Sequence, residues 1–209
     1  MAHTPRPAGG PPPRFAIAAV ALIGLLVLAA GAIIALTLGA GPNSAGSALS
    51  AAIGGPFQLV DQNGKPFTDA NLKGKWELVY FGYTHCPDAC PTALNDMALA
   101  LDKLGGKRNE VGIVFVTVDP ARDTPAVLKD YVTSFDAPIV ALTGTDAQVA
   151  QAAKVYHVYY AKHEEKGGEY SMDHSSIIYL MDPQGRFVAS FTHESSPTDM
   201  ASRLDKLVS

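Results

Sequence analysis

The chain contains two cysteines, four residues apart, in Thr84-His-Cys-Pro-Asp-Ala-Cys-Pro91. Each precedes a proline, which disfavours helical geometry at the preceding residue, so the spacing predicts a turn over Cys86–Ala89 and a helix starting at Pro91 with Cys90 as its cap. A turn brings the two sulfurs together, and the free N–H groups at a helix start favour thiolate, so both thiols are expected to titrate low. Two close thiolates can form a disulfide or share a soft metal ion. A merely stapling disulfide closes so short a loop that it would add little stability. The C-x-x-x-C spacing has one residue more than the redox C-x-x-C motif, and the extra residue makes room for a metal.

Two thiolates form a sparse site, which directs attention to the six histidines. His3 precedes a long apolar run, His163 stands in the charged tip KHEEKGGE, and His157 and His193 read as surface or packed residues. His85 adjoins Cys86, but neighbouring side chains in an extended segment point apart. His174, in Tyr170-Ser-Met-Asp-His-Ser, falls just before an apolar strand, where a mixed α/β sheet would place a loop facing the cysteine turn. Its neutral imidazole would complete a set of two sulfurs and one nitrogen. Such a set suits three-coordinate Cu(I), accepts Cu(II) with an added ligand, and is one donor short for Zn(II). Met172 reads as core. Asp119 follows a strand on the same sheet edge and could orient a ligand or meet a partner. Asp123 and Thr124 read as helix caps, and Arg122 as a surface residue.

The elements that must position these residues follow from hydrophobic pattern. Glu77–Tyr83 and Val111–Val118 are apolar, β-branched or aromatic runs, with a helical stretch Thr92–Leu104 between them, which is a β-α-β unit. Thr124 and Pro125 open a second helix running to about Phe135. A short strand follows at Ile139–Leu142, then a helix at Thr145–Tyr156. Asn63-Gly64 marks a hairpin between Phe57–Val60 and Pro66–Thr68. A further hairpin over 157–174 surrounds a polar tip, strands Ser176–Met181 and Arg186–Phe191 flank Asp182-Pro-Gln-Gly185, and a helix over Pro197–Val208 closes the chain. The expected fold is a three-layer α/β domain with a mixed sheet.

Of the 209 residues, 47% are apolar and 17% charged, and the apolar excess is at the front. Phe15–Leu38 holds twenty-four residues without a charge, about 36 Å as a helix and long enough to cross a bilayer. A cleaved signal peptide is the competing reading, since small residues follow, but its apolar core is usually shorter. Arg6 and Arg14 precede the run, and residues 1–47 contain no acid. That asymmetry places residues 1–14 on the cytoplasmic side, 15–38 across a bacterial inner membrane, and the remainder in the periplasm. Residues 39–52 read as a flexible linker and 53–209 as the folded domain. The exported part carries fourteen basic against twenty acidic residues, a net charge of about −6, which argues against nucleic acid as a partner.

Gly82-Tyr-Thr-His-Cys-Pro-Asp-Ala-Cys-Pro91, Val118-Asp-Pro-Ala-Arg-Asp-Thr-Pro125 and Asp173-His-Ser175, in that order behind one apolar anchor, resemble the Sco/SenC proteins. The resemblance covers the whole exported domain, and the three motifs together are far more specific than any one. It implies a thioredoxin-like domain with a copper site of Cys86, Cys90 and His174. It further implies delivery of copper to the dinuclear centre of cytochrome c oxidase subunit II, and thiol reduction of that subunit's cysteines as an added activity. The expected partners are then that subunit, a copper donor protein and a thiol reductase. A metallochaperone rather than an enzyme is the leading expectation. The alternatives are a periplasmic thiol-disulfide oxidoreductase, with Cys86 attacking and Cys90 resolving, and a peroxide-reducing thiol enzyme.

Overall fold

The computed structural model describes residues 53–208. Segments 1–14, 15–38 and 39–52, for which the sequence predicts a cytoplasmic N-terminus, a membrane anchor and a linker, lie outside the described residues. Among the described residues no helix is long and apolar enough to cross a membrane.

Among the described residues, nine strands and four α-helices follow the predicted order. The strands are β1 (Gln58–Asp61), β2 (Pro66–Thr68), β3 (Trp76–Gly82), β4 (Val111–Thr117), β5 (Ile139–Thr143), β6 (Tyr160–Glu164), β7 (Tyr170–His174), β8 (Ile177–Met181) and β9 (Phe187–Thr192). The helices are α1 (Ala89–Lys103), α2 (Pro125–Val132), α3 (Asp146–Val155) and α4 (Pro197–Leu207). Seven strands form one sheet in the order β2-β1-β5-β4-β3-β8-β9, while β6 and β7 make a separate two-stranded ribbon.

The sheet centre is parallel, β3 with β4 and β4 with β5, and its outer pairs are antiparallel. Parallel strands covered on both faces read as near-continuous apolar runs, and VGIVFV of β4 is such a run, closed by Thr117, with all seven residues buried. Two successive right-handed crossovers, stepping from β3 to β4 to β5 in one direction, must put α1 and α2 on the same face. Ring contacts agree with this. Tyr80 and its register partner Phe115 face Cys90 of α1 and Tyr131 of α2. Phe81, pointing the other way, meets Tyr156 at the end of α3 with ring centroids 5.3 Å apart. Helix α4 packs on α1. The result is three layers.

Caps fix the helix starts. The Thr124, Thr145 and Ser196 hydroxyls accept from the N–H groups of Val127, Gln148 and Asp199, and Pro125 and Pro197 occupy first-turn positions. Helix α3 is stopped two residues past Val155 by His157, whose φ of 56° is the left-handed conformation that follows many helix ends; Val158 N–H then bonds back to the Ala153 carbonyl.

At the edge of the sheet away from the cysteines, Glu77 is buried over Gly112, where a β-carbon would collide with its carboxylate. Burial pushes its pKa up to about 7, against the opposing pull of Lys75, 3.5 Å away. A carboxyl raised in the folded state stabilises the fold fully below its unfolded pKa, and that contribution is lost as pH rises through the folded value. Glu77→Gln is therefore expected to flatten the fall in Tm between pH 5 and pH 8 and to raise Tm at pH 8 by several degrees. A variant whose Tm tracked wild type at both pH values would show that Glu77 is not the source.

Candidate metal centre

The site lies where β3 and β4 end, the edge of a parallel sheet at which loops converge. The chain leaves β3 through a turn closed by Cys86 N–H to the Tyr83 carbonyl, 3.3 Å. The turn thus comes three residues before the expected Cys86–Ala89. Helix α1 likewise begins earlier than predicted, at Ala89 after Asp88, so Cys90 sits inside the first turn instead of capping it. The first helical bond runs from Thr92 N–H to the Asp88 carbonyl, 3.1 Å. Pro91 falls at a position whose N–H would have no helical partner, so its ring costs the helix nothing. Burial of Cys90, with no exposed surface, outweighs the pre-proline bias.

The two sulfurs occupy different environments. Cys86 is half-buried and its Sγ receives the Cys90 N–H at 3.4 Å, a helix-start amide serving an anion. Cys90 Sγ lies beneath the Gly82 backbone, where any β-carbon would come within 2.7 Å of the sulfur. The expectation that both thiols titrate low holds for one of them. Cys86 is pulled far below the ordinary thiol range, chiefly by the hydrogen bond that Cys90 donates to it. Cys90, which keeps the proton and is buried, is pushed up.

His174 is the last residue of β7, the second arm of the hairpin predicted over 157–174, and faces the cysteine turn from that strand end. Its Nε2 stands 3.3 Å from Cys90 Sγ, and its Nδ1 faces the Ser175 carbonyl at 3.4 Å. A carbonyl partner makes Nδ1 the protonated nitrogen and leaves the Nε2 lone pair for the cysteines' side. Edge-on rings of Tyr80 and Tyr83, centroids 6.0 and 5.8 Å away, hold the imidazole from two directions. One donor atom each from Cys86, Cys90 and His174 lies within 4.8 Å of the others, close enough to hold a metal ion. Two sulfurs and one nitrogen in an aromatic, largely buried setting are a soft donor set.

The remaining candidates divide. His85 is exposed and contacts the Thr84 hydroxyl at 3.1 Å; His163 lies on β6 and pairs with Asp173 at 2.8 Å; His193 is exposed in a turn after β9. Met172 is buried core, as its pattern predicts. Asp119 is buried, bonded to Arg122 and to the Tyr170 hydroxyl, and only 3% exposed, which leaves little carboxylate for a partner to meet. Two readings need correction. Asp123 caps nothing: wholly buried, it accepts from Thr84 N–H at 3.0 Å, from the Thr84 hydroxyl at 2.6 Å and from the Thr117 hydroxyl at 2.5 Å. Arg122 is not a surface residue, since its guanidinium stacks 3.7 Å from the centre of the Tyr170 ring. The structure also brings in Tyr80, Tyr83 and Gly82, which sequence pattern reads only as strand residues. A glycine closing an otherwise bulky apolar strand is the one signal that pointed there. A cavity of about 550 Å³ between Phe57, Thr68 and Gln148 shares no residue with this site.

A mixed α/β domain with a two-thiol, one-imidazole cluster at the end of its parallel strands is a thioredoxin-like architecture carrying a metal-competent site. Residues 45–209 match the family model SCO1/SenC, and the chain belongs to that family. It is 46% identical over 142 residues to the mitochondrial protein SCO2 of Saccharomyces cerevisiae, a match covering 66% of this chain and 47% of that one. The chain thus spans about half the length of that curated relative. Among solved structures, ScoI of Bradyrhizobium japonicum with copper bound is 49% identical, superposes with a TM-score of 0.69, and is covered to 99% by 74% of this chain. BsSco, described as carrying a disulfide switch and as a member of the Sco family of cytochrome c oxidase assembly proteins, is 27% identical with a TM-score of 0.57, over 73% of this chain and 91% of that one.

Because Cys86 alone is both half-exposed and thiolate-prone, a limiting amount of iodoacetamide at pH 6 is expected to alkylate Cys86 well before Cys90, read by peptide mass spectrometry. Equal labelling would contradict the asymmetry. Gly82→Ala should displace Cys90 Sγ, and its effect is expected in far-ultraviolet thiolate absorbance before any loss of fold.

Proposed function

We propose that this chain is a copper metallochaperone that holds the ion through Cys86, Cys90 and His174 and passes it to the dinuclear copper centre of cytochrome c oxidase subunit II. The observation that carries the proposal is the convergence of those three donors within 4.8 Å, across 84 residues of sequence between Cys90 and His174. A relative 49% identical over most of the domain has been solved with copper bound, and another is described as an oxidase assembly protein. The donor set favours Cu(I) in three-coordinate form, with Cu(II) taking an added ligand. Copper here is cargo, so the protein works by binding and release and not by turnover. Cys86, at the rim, is a donor that an incoming copper donor protein can reach; the buried Cys90, with the half-buried His174 beside it, retains the ion once it enters. Binding displaces the proton that the two thiols share, so affinity rises with pH until both sulfurs are ionised.

The proposal includes the tether. The apolar segment 15–38 would anchor the chain in a bacterial inner membrane, with residues 1–14 cytoplasmic and the domain reaching its client from the periplasmic side through linker 39–52. In an oxidising compartment the two cysteines must be reduced before they can hold metal, which gives a thiol reductase its place among the partners.

A second reading has its own observation. A half-exposed, thiolate-prone Cys86 backed by a buried, protonated Cys90 is the arrangement of attacking and resolving thiols in a disulfide reductase. Anaerobic competition of the reduced full chain with a chromogenic Cu(I) chelator separates the two. The expected outcome is one tightly held copper per chain, lost in Cys86→Ser and Cys90→Ser, and weakened at least about 100-fold in His174→Ala, which keeps only the sulfur pair. Copper held equally well without His174, or not held at all, would hand the site to the thiol-disulfide reading.

A further inference from the structure

His174 ends β7 and so lies outside the ladder that fixes the cysteines, although β8, which starts three residues later at Ile177, pairs with β3. Cys86 and Cys90 follow β3 of the seven-stranded sheet, whereas β6 and β7 pair only with each other. The β3–β8 pairing brings the end of the hairpin near the cysteine turn, and a second tie from outside the ladder holds the ribbon itself against that turn. The loop after β4, Asp119-Pro-Ala-Arg-Asp123, grips both sides.

One arm reaches the cysteine side. The Asp123 carboxylate takes the N–H and hydroxyl of Thr84, two residues before Cys86, and the Thr117 hydroxyl ties that same carboxylate to the end of β4. The other arm reaches the hairpin. Arg122 donates from Nη1 to the Tyr170 carbonyl at 3.0 Å and from Nε to Asp119, and lays its guanidinium on the Tyr170 ring. The Tyr170 hydroxyl closes the loop by donating to Asp119 at 2.9 Å. The Arg122 guanidinium also lies 5.7 Å from the centre of the Tyr83 ring, the same ring that meets His174 edge-on. A planar group that donates two ways and stacks at once is something lysine cannot reproduce.

We propose that the 119–123 loop is a two-armed bracket that sets His174 against the cysteine turn, with Arg122, Asp119 and Tyr170 as positioning residues for the third donor. The inference rests on the copper reading for its purpose, but the bracket itself is a property of the metal-free chain. It predicts that Arg122 acts through His174 and not through the fold at large.

The test is a double-mutant cycle on the reduced full chain, read by Cu(I) competition. Arg122→Ala is expected to lower affinity about 10–100-fold, the usual cost of removing groups that orient a metal ligand. In a His174→Ala background, where no imidazole remains to misplace, the same change should cost less than about 3-fold. Tyr170→Phe, which removes one hydroxyl and keeps the ring, should act in the same direction with smaller size, and serves where Arg122→Ala does not fold. Arg122→Lys should not restore wild-type affinity. No loss in the wild-type background, or a loss that persists at full size without His174, overturns the proposal. Amide hydrogen exchange of the metal-free variants supplies the independent arm: residues 160–174 should exchange faster while α1 is unchanged, and an unaltered hairpin overturns the bracket. Because that arm needs no copper, wild-type protein that failed to hold copper would sink the copper reading and leave the bracket to be judged by exchange.

Discussion

The contact on which the site depends is Cys90 Sγ against His174 Nε2, 3.3 Å apart across 84 residues of chain. Each partner is placed by a separate constraint. Cys90 is driven into the core by the helix it belongs to, and can enter only because Gly82 presents bare backbone to the sulfur. His174 ends a ribbon outside the main sheet, three residues before β8, which pairs with β3. Their meeting is a tertiary event that completes the soft donor set, while the shared proton and the unequal thiols come from the Cys86–Cys90 contact and the burial of Cys90.

The parallel centre of the sheet explains why the meeting occurs where it does. Parallel strands leave their loops at one edge, so the cysteine turn after β3 and the 119–123 loop after β4 emerge side by side. Polar groups there are buried with the apolar ones, and each must be satisfied. Asp123 meets this demand with three donors, and the desolvation that raises its pKa is offset in part by those same bonds. A carboxylate that could have been a liability becomes the tie between two loops.

Much of this was legible in the sequence, for reasons that differ by element. Continuous apolar runs between turn signals gave the strands, and the Thr124-Pro125 pair gave one helix start, because both depend on local chemistry alone. The cysteine pair announced itself by being the whole thiol content of the chain, and His174 by its position ahead of a strand. What pattern missed was set by distant neighbours. Asp123 reads as a cap because it precedes Thr124, yet burial and the approach of Thr84, thirty-nine residues earlier, turn it into an acceptor. Arg122 reads as surface until Tyr170 covers it. Helix α1 starts two residues early because local bias at Cys90 yields to packing. Local rules fail here at the residues that define the site, where tertiary contacts are densest.

The inequality of the two thiols has a consequence for how one site could serve two chemistries. Oxidation of the pair to a disulfide, with two electrons passing to an acceptor and the one shared proton released, consumes both sulfur donors and leaves His174 without companions. Metal binding and thiol exchange thus exclude each other at the level of atoms, whichever the protein performs in its compartment. Cys86 is the common point of entry, because it alone combines exposure with thiolate character. The commitment is made deeper, at Cys90: a bond from its sulfur to Cys86 is disulfide chemistry, and a shared ion with His174 is metal chemistry. A bracket that keeps His174 close to Cys90 weights that choice toward metal without touching either sulfur.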